Sequence, residues 1–63
     1  MDPKLVKMCR DTLRDNQHLV ASWNIGNPPA ADKLVREVLE DNPTLDAEKV
    51  KLCVLKLLRR EEP

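Results

Sequence analysis

The sequence predicts an all-α domain, a small orthogonal or up-down bundle of four helices, one of them short. Two observations carry the prediction. Apolar residues recur at three- and four-residue spacing, which gathers them on one face of a helix. Cap and stop residues, namely Asp2-Pro3, Asn16, Gly26 to Pro29, Asn42-Pro43 and Asp46, cut the chain into helix-length pieces. The helices are expected over 3–15, 17–24, 29–41 and 46–60. Together they make a single domain over 1–60, with 61–63 as a tail or the start of a linker.

The first helix begins where Asp2 can cap free amides and Pro3 suits the first helical position. Met1 and Val6 stand where a hydrophobic staple would place them. Leu5, Val6, Met8, Cys9 and Leu13 share a face, while Lys7, Arg10 and Arg14 share another beside Asp11 and Asp15. The cations read first as a solvated face with local pairing. An anionic contact patch is the functional alternative.

Asn16 is the expected cap of the short second helix. Leu19 and Trp23, four residues apart, share its face with Val20. Trp23 reads as a core plug, because the chain has no other large side chain. The competing reading is an exposed anchor for a partner. His18 is the only histidine, and it reads as a surface residue.

Gly26, the only glycine, is placed to end the second helix in the left-handed conformation. Asn27 is the expected cap of the third helix, and Pro28-Pro29 fix its entry. That helix carries Ala31, Leu34, Val35, Val38 and Leu39 on one face. Asp32, Lys33, Arg36, Glu37, Glu40 and Asp41 lie on the other, with Asp32 and Arg36 spaced to pair. Asn42-Pro43 stops it.

Asp46 caps the last helix, with Leu45 and Val50 as its staple. On a wheel at ~100° per residue, Cys53, Leu57, Val50, Val54, Ala47 and Leu58 form one apolar arc, and Leu55 widens it past Lys51. The arc covers roughly half the circumference, more than the stripe an ordinary surface helix buries. Leu52 falls outside it, between Arg59 and Lys56, and Lys49, Lys56 and Arg60 form a basic ridge beside it.

Composition narrows the function. A 63-residue chain makes one domain, and it buries only ~60% of its unfolded surface. Its core must be built from ten Leu, six Val, one Ile and the methionines. So lean a core favours a partner, or a second copy, that adds buried area. The formal net charge of zero argues against a dedicated nucleic-acid binder. Yet charge is uneven: six acids face two bases from Asp32 to Glu48, and five bases face two acids from Lys49 to Pro63. Such a pattern suits an antiparallel helical hairpin or a dimer in which acidic and basic faces meet, and it also serves solubility.

No catalytic motif is present. One glycine cannot build a phosphate-cradling loop, and one His with two separated Cys cannot supply four zinc ligands. Glu37, Glu40 and Asp41 lie on a polar helix face where carboxylates stay solvated, so they do not suggest an acid–base pair. Cys9 and Cys53 read as buried free thiols, with a bridge open to them if the first and last helices touch. No signal peptide is visible and no apolar stretch approaches the ~20 residues that cross a bilayer. An intracellular location, cytoplasmic or nuclear, is the expectation.

The favoured expectation is a non-enzymatic protein-interaction or dimerisation module, without cofactor or metal, that binds another protein or a second copy of itself. Leu52, Leu55, Lys49, Lys56, Arg59 and Arg60 are its expected contact residues. The alternative is a helix-turn-helix-like nucleic-acid binder that uses the cluster Lys49, Lys51, Lys56, Arg59 and Arg60.

Overall fold

Four segments satisfy their backbone hydrogen bonds as helices in the computed structural model, which describes residues 1–62: α1 (Pro3–Asp15), α2 (Gln17–Asn24), α3 (Pro29–Asp41) and α4 (Ala47–Leu58). No strand occurs among the described residues. The all-α bundle expected from the spacing is the fold. Pro63, the end of the expected tail, lies outside the described residues.

Two starts follow the sequence reading. Asp2 Oδ1 accepts from the Lys4 amide at 2.9 Å, and Asp46 Oδ1 accepts from the Glu48 amide at 2.9 Å. Each carboxylate satisfies an amide that the helix itself cannot. Two expected caps act differently. The Asn16 side chain makes no capping bond to α2; its Nδ2 donates back to the Thr12 carbonyl at 2.8 Å and so closes the end of α1. With a single residue between the helices, that carbonyl is the nearer orphan group. Asn27 does not cap α3 either. Its Nδ2 donates to Ser22 Oγ at 2.7 Å, which ties the loop to α2, and Pro28 occupies the cap position.

The ends of α2 and α4 are alike. After α2 the Gly26 amide donates to the Trp23 carbonyl and the Asn27 amide to the Ser22 carbonyl. After α4 the Arg60 amide donates to the Leu57 carbonyl and the Glu61 amide to the Lys56 carbonyl. Both are the paired-bond Schellman closure, which needs a left-handed residue. Gly26 takes that role at φ 92° without strain, and Arg60 takes it at φ 58°. The last helix therefore stops at Leu58 with Arg59 as its cap, two residues short of the expected end at position 60. Arg60→Gly is expected to raise stability by about 1 kcal/mol, because glycine relieves the left-handed penalty. Gly26→Ala is expected to lower it by a similar amount through backbone strain alone, since nothing lies within 4 Å of an added Cβ. Urea unfolding of both variants checks the pair.

α1 and α3 form the central pair, and both α2 and α4 pack on them. The core they enclose contains Leu5 and Cys9 from α1, Ala31, Leu34 and Val38 from α3, and Val50, Cys53, Val54 and Leu58 from α4. α2 contributes no buried residue; Leu19, Val20 and Trp23 lie half-buried against the core. Trp23 is therefore a partial plug at the margin of the core. Ala47, expected within the apolar arc of α4, is exposed at its first residue. Ala30 and Thr12 are buried although neither was expected to be.

Cys9 and Cys53 are both free and fully buried, one on α1 and one on α4. Burial pushes the Cys9 thiol up to about 12, and the adjacent Cys53 thiol adds to the shift through its charge and a hydrogen bond. In the unfolded chain a thiol ionises near ~8.5. Between these two values the unfolded state has lost a proton that the folded state keeps, so stability falls as pH rises. The stability is fully present below pH ~8.5 and is lost progressively towards pH ~12. We expect the urea midpoint to drop from about pH 8 to about pH 10, and the drop to shrink in Cys9→Ala.

Candidate functional site: the outer face of α4

The positions that build the core side of α4, Val50, Cys53, Val54 and Leu58, lie at three- and four-residue spacing and point inward. By the same geometry Lys49, Leu52, Lys56 and Arg59 share the side turned away from the core. Leu52 is 51% exposed there. Leu55, by contrast, is half-buried and packed on the core, as is Leu57. Most of the apolar arc of α4 is thus used by the fold, and Leu52 is the large apolar residue of the helix left exposed.

Leu52 does not stand alone. With Leu5, Met1, Asp2 and Lys49 it lines a groove of about 350 Å³ between the start of α1 and the first turns of α4. Met1, 49% exposed, forms another apolar wall, and the nearly buried Leu5 lies among the lining residues. The third exposed large apolar residue among those described, Ile25, sits in the α2–α3 turn at 86% exposure. No local pattern signals that Met1 lines the same groove as Leu52, because the groove joins residues far apart in the chain.

Of the expected contact residues, the structure brings Lys49, Leu52, Lys56 and Arg59 onto one face. It turns Leu55 towards the core and puts Arg60 beyond the helix in the left-handed turn, out of register with the ridge. Lys51, named with the basic cluster, is exposed on a different side of the helix.

The charges of this face form no ion pair among the described residues. All ion pairs among the described residues lie on α1: Lys7–Asp11 at 3.1 Å, Arg14–Asp11 at 3.4 Å and Arg14–Asp15 at 3.2 Å. The local pairing expected for Lys7 and Arg14 is therefore formed. The Asp32–Arg36 pair expected on α3 is not. α3 and α4 pack closely, yet no acid of one pairs with a base of the other among the described residues.

Other candidate chemistry stays dispersed. His18 is exposed on α2. Among the described residues, no three His, Cys, Asp or Glu side chains are grouped as metal ligands would be. No helix among them is long and apolar enough to cross a membrane. Compared with known proteins, the chain matches no family model, no curated protein and no solved structure.

Proposed function

We propose that this domain is a non-enzymatic interaction module whose docking surface is the outer face of α4. The observation that carries the reading is Leu52, half exposed at the edge of an apolar groove and bordered by cations that form no ion pair among the described residues. An apolar anchor surrounded by charge is the composition of a helix-packing interface with a polar rim. A core this lean gains stability from any partner that covers Met1 and Leu52. The domain acts by binding, with Leu52 as the anchor and Lys49, Lys56 and Arg59 as the rim.

The nucleic-acid reading rests on the same cations. It is weaker because Leu52 projects from the middle of them, and a phosphate backbone offers nothing for a leucine to pack on. Amide spectra recorded as the protein is concentrated, and again with a mixed-sequence DNA duplex, separate the two. Shifts centred on Lys49, Leu52 and Lys56 on concentration, with none on adding the duplex, are the expected result. Salt-sensitive shifts with the duplex alone would replace the module with a nucleic-acid binder.

A further inference from the structure

The α4 face is net cationic around Leu52, with Lys49, Lys56 and Arg59 against Glu48 and the nearby Asp2, and the same molecule carries a surface of opposite character. A groove of about 450 Å³ runs between the C-terminal halves of α1 and α3, lined by Met8, Asp11, Asp15, Glu37 and Asp41 together with neutral neighbours. Lys7 and Arg14 pair with Asp11 and Asp15, whereas Glu37 and Asp41 have no ion-pair partner among the described residues. The carboxylates lining the groove outnumber those two cations by two. Met8 is half-buried there, and it is the expected α1-face residue that does not join the core. The groove therefore offers a soft apolar contact among acids, while the α4 face offers a leucine among bases.

From this complementarity we infer that the occupant of the α4 face is a second copy of the chain, docked head to tail, with Leu52 of one copy seated towards Met8 of the next. The inference rests on the α4 reading above and names its partner. A parallel two-fold contact of the α4 face with itself would bring Lys49, Lys56 and Arg59 of each copy against the same cations of the other, and an antiparallel one centred on Leu52 would give only Lys56 an acid, Glu48, to face. Like charges placed together are among the strongest determinants against a contact. The head-to-tail arrangement instead sets bases against acids, and it uses two surfaces built from different helices. Such a contact leaves one of each surface open at the ends, so assembly continues beyond two copies unless a ring closes. A formal net charge of zero fits this arrangement, because repeated addition builds up no repulsion.

Complementation tests the inference. A ridge variant carries Lys49→Glu and Lys56→Glu; a groove variant carries Glu37→Lys and Asp41→Lys. The Lys49 change lies in the first turn of α4 and the Asp41 change at the end of α3, where the helix dipole favours the new charge. Circular dichroism and urea unfolding of each variant confirm folding. Where a reversal unfolds the domain, Lys56→Gln and Glu37→Gln carry the same test.

Sedimentation of the wild-type chain should show oligomers that grow with concentration. Each variant alone should associate at least tenfold more weakly, and their mixture should recover association, because the unchanged ridge of one variant meets the unchanged groove of the other and the two reversed surfaces also attract. If the wild type associates but the mixture does not recover, the groove is not the occupant, and the inference fails. Loss of that same association in Leu52→Glu would then leave the α4 reading standing. A wild type that closes at a dimer also overturns the inference. A wild type that remains a monomer at every concentration overturns both.

Discussion

Leu34→Ala is expected to unfold much of the population at room temperature. Leu34 is fully buried in the middle of α3, in the one core cluster that α1, α3 and α4 share. Truncating a buried leucine costs ~2–5 kcal/mol, from lost transfer energy and from the cavity left behind. A domain of this size rarely holds more than ~3–5 kcal/mol of net stability. The loss is therefore comparable with the whole. The lack of aromatic side chains in the fully buried core means no large neighbour stands ready to fill the space. Urea unfolding followed by circular dichroism gives the number. A loss below about 1 kcal/mol, as for an average substitution, would mean the shared core does not carry the fold.

Leu52→Glu is expected to do the reverse: leave the fold alone and remove association. Leu52 is half exposed, and its helix position tolerates glutamate nearly as well as leucine. A carboxylate there stands four residues before Lys56, which favours the helix by a few tenths of a kcal/mol, and four residues after Glu48, which offsets that by a similar amount. Stability should thus stay within about 0.5 kcal/mol of the wild type. Association loses the anchor. Burying a leucine side chain contributes ~1.5–3 kcal/mol relative to exposure. Half of that is already forgone in the half-buried free state, so the apolar term alone weakens binding by roughly three- to tenfold. The added negative charge, set against the acids of a facing groove, carries the loss beyond about tenfold. The paired readouts are a urea midpoint and a sedimentation isotherm. Collapse of the midpoint would make Leu52 a core residue.

The fold was largely legible because its local signals agree. Asp2-Pro3 and Asp46 are helix starts whose chemistry is fixed by the neighbouring amides, and both work as read. The four-residue spacing of Leu34 and Val38, and of Val50 and Val54, placed them inside correctly. Misreadings came where a residue had two local partners. Asn16 and Asn27 sit in linkers so short that the preceding helix offers the nearer group, so they close helices instead of opening them. Thr12 falls on the Leu5–Cys9 stripe and is buried, although its hydroxyl gives it no apolar signal in the sequence. Arg60 falls within the helix expected to position 60, but the backbone bonds that close α4 after Leu58 hold it in the left-handed turn.

The candidate site was legible in part. Leu52 stood out because the wheel puts it away from the apolar arc, a property of α4 alone. The rest depends on tertiary placement. Whether Leu55 is spare or used is decided by how α4 packs on α1 and α3, and it is half-buried against the core. Met1 reaches the Leu52 groove only because α1 lies along α4. The acidic groove joins Asp11 and Asp15 to Glu37 and Asp41 across two helices, a pairing that neither segment announces by itself.

Sedimentation equilibrium of the wild-type chain over a wide concentration range, at low and high salt and with and without reductant, tests the central claim most directly. The account predicts a mass that rises reversibly with concentration, weakens with salt because the rim is ionic, and ignores reductant because both thiols are buried. A monomer mass at every concentration would contradict it, as would an assembly that disappears when reductant is added.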